Sequence, residues 1–238
     1  MSVETAIDGN ELLQKIEKSI RKLSKIRVGS DIDNTEVSTT ENGILLLNKI
    51  QHSDFKTEDV TYDFAIIDLI AEKLPKVSNP REYAIELWNC NENLSTARPV
   101  SGLLSVSHYL NKFGLIDIPR ITSRPAYAQD VTFSWYQKNM PWVVDHKLIY
   151  MQKGAEINPD YKIDQINKMG IELFFEDSFE HAIRIVSETR STVVLVPQPW
   201  NENYILNRTP NDRIIIPHKD WRTPAKMVRV YAGLVDYI

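Results

Sequence analysis

At 238 residues, with 42% apolar and 25% charged side chains, the chain can bury the core of one α/β domain carrying one smaller insert. A formal charge of −4, with no long run of either sign, excludes the concentrated basic face that a nucleic-acid polymer or a membrane surface would need. The single Cys90 excludes an internal disulfide and a cysteine-built zinc cage.

The N-terminus lacks a basic segment followed by an apolar one, and no stretch approaches the ~20 apolar residues of a membrane span, so a cytoplasmic protein is expected. The triplets at Asn93 and Asn207 that resemble glycosylation acceptors are accordingly read as chance. Residues 11 to 25 carry Leu12, Leu13, Ile16, Ile20 and Leu23 at helical spacing, with Asp8 and Glu11 as a candidate capping box. This helix, within residues 1–25, is expected to pack on the core. Residues 26 to 33 read as a short strand that ends in Asp31 and Asp33. Two carboxylates at a strand end repel each other and pack poorly.

From Glu36 to Gly114 the pattern becomes helical. Tyr62, Ile66, Leu69 and Ile70 share one face, and Leu103, Leu104, Val106, Leu110 and Phe113 another, with Pro75, Pro80 and Pro99 as breaks. Beyond Gly114, strands and helices alternate. Strands are expected at 118–122, 148–151, 171–175 and 192–196, and helices at 126–139 (Val131 and Trp135 inward), 162–168 and 179–188. Alternation with short loops implies α/β architecture: a Rossmann-like parallel sheet covered on both faces, with its ligand site beyond the carboxyl ends of the strands.

Four polar features fall at those ends: Asp31-Ile32-Asp33-Asn34-Thr35, Ile121-Thr122-Ser123-Arg124-Pro125, Lys162 at a helix start, and Phe174-Phe175-Glu176-Asp177-Ser178. Each alone has an ordinary explanation as a turn, a cap or a solvated end. In this order and placement they resemble the four motifs of phosphatases of the haloacid-dehalogenase (HAD) superfamily. The run from Lys162 through Gly170 to Asp177, the Ile-Thr-x-Arg-Pro segment and Pro197-Gln198-Pro199-Trp200-Asn201 resemble in particular the 5'(3')-deoxyribonucleotidase-like branch. The resemblance covers residues 26–35 and roughly 115–221. It implies a HAD-like catalytic core of residues 26–35 and 115–238, interrupted by a helical cap at 36–114.

It also implies roles that the chemistry supports. A carboxylate attacking a phosphomonoester meets a dianion, so a divalent cation must offset the repulsion, and Mg²⁺ prefers oxygen ligands. Asp31 is the expected nucleophile and a metal ligand. Asp33 is the acid/base partner and offers its backbone carbonyl to the metal. Asp177, or less favourably Glu176, completes the set. Thr122 and Ser123 are expected on the phosphoryl oxygens, with Lys162 balancing their charge. Arg124 is expected either on the phosphate or in an interdomain salt bridge. Lys153 is a rival to Lys162, which is preferred for its spacing to Gly170 and Asp177. A dehalogenase has no alkoxide to protonate, so Asp33 favours phosphate chemistry.

Tyr83, Trp88 and Phe64 are candidates to stack on a nucleobase, although aromatics at helical spacing are more often core. His52, His108, His146, His181 and His218 show no ligand pattern. The leading expectation is a Mg²⁺-dependent hydrolase of small nucleoside monophosphates, with a homodimer compatible with the sequence. The alternatives are a phosphatase of another metabolite, such as a sugar phosphate, and a catalytically weak binding subunit. The intact acidic and cationic set argues against the last.

Overall fold

The computed structural model describes residues 27–62, 64–104, 118–142, 149–152, 160–202 and 212–215, together with Gln14 and Ser107. Strand β1 is Val28–Ser30, followed by helices α1 (Thr39–Gln51), α2 (Ala65–Lys73), α3 (Pro80–Asn89) and α4 (Asn91–Thr96). Then come β2 (Arg120–Pro125), α5 (Gln129–Asn139), β3 (Ile149–Gln152), α6 (Tyr161–Met169), β4 (Leu173–Glu176), α7 (Phe179–Glu188), β5 (Thr192–Leu195) and β6 (Ile214–Ile215). The expected helix at 11–25, Lys153, His108, His146 and His218 lie outside the described residues.

The strands form one sheet in the order β3-β2-β1-β4-β5-β6, and every pairing is parallel. This is the doubly wound order, whose crevice opens where the winding reverses between β1 and β4. Leu173, Phe174, Val193, Val194 and Leu195 are wholly buried, so these strands read as continuous apolar runs rather than alternating ones. Between β1 and β4 the fit is close: a Cβ on Gly29 would stand 2.9 Å from the Phe174 ring. Helix α7 packs Phe179, Ala182, Ile185 and Val186 against the sheet, and the Ser178 side chain caps its first turn by accepting from the His181 amide. Gly170 ends α6 in the left-handed conformation (φ 62°).

Two expectations are corrected. The second strand begins two residues later than read and continues to Pro125, because a register shift after Thr122 lets pairing resume at Pro125 and Gln152. Tyr62 lies before α2 and is exposed, whereas Ile66 and Ile70 are buried. Leu104 is also exposed.

Helices α1 to α3 enclose an apolar cluster that includes Ile44, Leu47, Phe55, Ile66, Ile70 and Leu87 and is joined by Trp200 from beyond β5. The chain enters this region through Glu36–Ser38 and leaves it through Ala97–Val100, and the two segments pair antiparallel at Val37 and Pro99. The Val100 amide donates to Glu36 O, and the Ser38 amide to Arg98 O. Below them, buried Glu36 accepts from Arg120 Nε (3.1 Å) and from the Tyr136 hydroxyl (2.5 Å). Burial and the Glu36 carboxylate push the Tyr136 phenol well above its ordinary pKa, so it remains a donor. Among the described residues, no helix is long and apolar enough to cross a membrane.

Candidate active site

Beyond Ser30 the chain leaves the sheet, with the Asp31 amide donating to Phe175 O of β4. The next turn is tight. Asn34 adopts φ 55°, tolerable for Asn, and its side chain accepts from the Thr40 amide at the start of α1. Asp31 and Asp33 are thereby held at the crevice. Glu176 and Asp177 arrive from the end of β4, and Lys162 from the first turn of α6.

Asp31, Glu176 and Asp177 present carboxylate oxygens that all lie within 4.8 Å of one another, and all three residues are buried. Lys162 Nζ sits between two of them, 2.6 Å from Glu176 Oε2 and 3.2 Å from Asp31 Oδ2. The other Glu176 oxygen accepts the amides of Asp177 and Ser178. Both oxygens of Glu176 are therefore engaged, Oε2 by Lys162 and Oε1 by the two amides. Burial opposes the Glu176 charge, but Lys162 and then His181 override it, lowering its pKa to about 2. Asp31 goes the other way. Burial raises it most, Lys162 opposes, and Glu176 and Asp33 add repulsion, so its pKa is pushed up to about 7.

Among the described residues, Asp31 Oδ1 is the buried side-chain oxygen without a hydrogen-bond partner. An orphaned, charge-crowded oxygen beside two further carboxylates is what a hard divalent cation would satisfy. Asp31 and Asp177 fit that purpose better than Glu176, with the Asp33 carbonyl as an additional oxygen donor. Asp177 is held for it. Its Oδ2 accepts from Trp200 Nε1 (3.2 Å), its backbone carbonyl from Asn201 Nδ2 (2.7 Å), and its Oδ1 lies 3.5 Å from the Thr35 hydroxyl.

Asp33 is gripped by Arg124, whose Nη2 reaches Oδ1 at 2.7 Å and whose Nε reaches both oxygens at 3.0–3.1 Å. The Thr39 hydroxyl also donates to Oδ1. Burial alone would raise the Asp33 pKa, but the Arg124 guanidinium holds it below its usual value. Of the pair at the end of β2, Thr122 is fully buried and accepts the Arg124 amide, while Ser123 is exposed. Both line the cavity.

That cavity measures about 340 Å³ and joins the strand ends to the helical insert. Its far wall includes Val60, Phe64, Ile67, Ile85 and Trp88. Tyr83 does not line it, and its hydroxyl is bonded to Gln51 Nε2 instead. Three further residues contribute to the site: His181, Thr39 and Trp200. His181 has Nδ1 3.5 Å from Lys162 Nζ, and its place in the first turn after Asp177 was the available signal. Thr39 shows no local signal, and Trp200, although within the Pro-Gln-Pro-Trp-Asn resemblance, shows no role by itself, because the partners of both are set by tertiary contacts.

No protein-family model matches the chain. The curated protein named "Putative nucleotidase YqfW", from Bacillus subtilis (strain 168), is 25% identical over 200 residues, covering 82% of this chain and 90% of that protein. "Putative nucleotidase BH1399", from Halalkalibacterium halodurans, is 26% identical over 179 residues, covering 74% and 81%. Among solved structures, a HAD-superfamily hydrolase of subfamily IA, variant 1, from Geobacter sulfurreducens superposes with a TM-score of 0.46 at 13% identity, over 76% of this chain and 97% of that one. Both curated relatives carry the word nucleotidase in their names, and each aligns along most of this chain.

Proposed function

We infer that the chain is a hydrolase of the haloacid-dehalogenase superfamily that cleaves small phosphomonoesters, nucleoside monophosphates in particular, through an aspartyl-phosphate on Asp31. The observation that carries this reading is buried Asp31 at a parallel-sheet crevice, its Oδ2 3.2 Å from Lys162, its Oδ1 without a partner among the described residues, and the Asp177 carboxylate beside it.

In the first half-reaction an Asp31 oxygen bonds phosphorus as the ester P–O bond breaks, and Asp33, in the minor protonated form that its pairing with Arg124 allows, passes that proton to the departing oxygen. In the second, Asp33 takes a proton from water as the water oxygen bonds phosphorus, and the Asp31–phosphorus bond breaks to release inorganic phosphate. Lys162 neutralises charge on the phosphoryl oxygens, and Thr122 and Ser123 donate hydrogen bonds to them. A Mg²⁺ ion held by Asp31, Asp177 and the Asp33 carbonyl would screen the carboxylate–dianion repulsion. The helices between residues 36 and 114 serve as a cap that excludes water while the ester is cleaved.

The apolar and aromatic far wall suits a flat base better than a polyhydroxylated sugar, and the names of the two relatives agree with that choice. A substrate panel with added Mg²⁺ tests the reading. Nucleoside monophosphates are expected to give the highest kcat/KM, and chelator to abolish turnover. A sugar phosphate as best substrate would overturn the nucleotide assignment, and metal-independent turnover would overturn the metal.

A further inference from the structure

The position of Arg124 departs from what a phosphate ligand needs. Along β2 the side chains alternate so that Ser123 is exposed while Arg124, on the same face as Thr122, is buried and 3% exposed. Each of its three side-chain nitrogens already donates to a protein oxygen. Nε and Nη2 hold Asp33, and Nη1 donates to the buried Thr132 hydroxyl of α5 at 2.8 Å. Three contacts converge on Asp33 Oδ1, from Nη2, Nε and Thr39, whereas among the described residues Oδ2 shares only the Nε–H.

We propose that Arg124 is a positioning residue for Asp33 and not a phosphate ligand: anchored by Thr132, its guanidinium fixes Oδ1 and leaves Oδ2 as the oxygen that exchanges the proton. This rests on the acid/base role given to Asp33 above. A side-on guanidinium–carboxylate fork fixes orientation as well as distance, which a single ammonium would not. Misplacing a catalytic group by about 1 Å costs on the order of 10²-fold in rate.

The position predicts a signature that general damage to the fold would not produce. Departure of an alkyl oxygen needs a proton from Asp33, whereas departure of a nitrophenyl oxygen needs little. Arg124→Met keeps the apolar stem, and the Asp33 side chain, 27% exposed, can be resolvated by water. Thr132→Val removes only the anchor and keeps the shape, so it serves where Arg124→Met fails to fold. The experiment measures kcat/KM for an alkyl phosphate and for nitrophenyl phosphate, with Ki for inorganic phosphate, in wild type and both variants.

Arg124→Met is expected to lower kcat/KM for the alkyl ester by ~10²-fold, the nitrophenyl ester by less than ~10-fold, and to leave Ki within ~2-fold. Thr132→Val is expected to shift the alkyl-to-aryl ratio in the same direction by a smaller factor. A tenfold or larger rise in Ki with equal losses for both esters would overturn the proposal and make Arg124 a phosphate ligand, while the hydrolase reading stood. A wild-type protein that hydrolyses neither ester with Mg²⁺ present would overturn the hydrolase reading, and the proposal with it.

Discussion

Replacing Arg120 by methionine tests how the helical insert is fastened to the sheet. Arg120 and Glu36 have side chains 3% and 6% exposed, and the pair meets at 3.1 Å directly beneath the two connecting segments. Arg120→Met leaves the Glu36 carboxylate buried with, among the described residues, the Tyr136 hydroxyl as its remaining side-chain donor. Breaking a buried pair from one side costs ~3–5 kcal/mol, because the abandoned charge cannot recover its hydration. At ~2–4 °C per kcal/mol for a chain of this size, the melting temperature should fall by ~6–20 °C. Glu36→Gln alone keeps an acceptor for both donors but removes the charge opposite Arg120, and should cost ~1.5–3 kcal/mol. In the double variant the abandoned charge is gone, so its loss should be smaller than the sum of the singles by ~2 kcal/mol. Urea denaturation of the four proteins measures this cycle. Additive singles of less than ~1 kcal/mol each would mean the pair is solvated and the fastening argument is wrong.

Asp31→Asn should stabilise the metal-free protein at pH 8. The folded pKa of Asp31, about 7, lies above the ordinary 3.8, so the fold favours the protonated form and loses stability as pH rises through that window. The gain from asparagine should therefore shrink as pH falls from 7 towards 3.8 in melting scans of chelated protein, and a constant gain would refute the burial argument. Trp200→Phe keeps the ring against the insert's apolar cluster but removes the donor to Asp177, so Mg²⁺ affinity by calorimetric titration should drop ~10–100-fold. An unchanged affinity would mean Asp177 does not hold the ion. Phe64→Ala should raise KM for nucleoside monophosphates by ~2–10-fold, one stacking contact's worth, while leaving phenyl phosphate turnover intact. Equal effects on both substrates would contradict a base-facing role for Phe64.

Where the sequence was readable, the reason was local. Thr192–Leu195 is a short apolar run bounded by polar residues, and α7 begins at a serine cap and carries Phe179, Ala182, Ile185 and Val186 at helical spacing. The parallel sheet and the gathering of Asp31, Lys162, Glu176 and Asp177 at its carboxyl edge follow from strand-end placement. What stayed hidden depends on partners far apart in the chain. Arg124 and Asp33 are separated by 91 positions, and Arg120 and Glu36 by 84, so no spacing rule links them. Trp200 links the Asp177 carboxylate to the insert's apolar cluster, and the Pro-Gln-Pro-Trp-Asn segment shows neither contact by itself.

The most direct test of the aspartyl-phosphate is to trap it. Asp33→Asn keeps the nucleophile but lacks the base for water attack, a loss of typically ~10²–10⁴-fold, and an aryl phosphate still supplies a leaving group that departs with little protonation. Rapid-quench intact-mass measurement with aryl phosphate and Mg²⁺ should therefore show one phosphoryl group accumulating on Asp31 in Asp33→Asn, and none in Asp31→Asn. Label on Asp33, or identical behaviour of the two variants, would contradict the assignment of Asp31 as nucleophile.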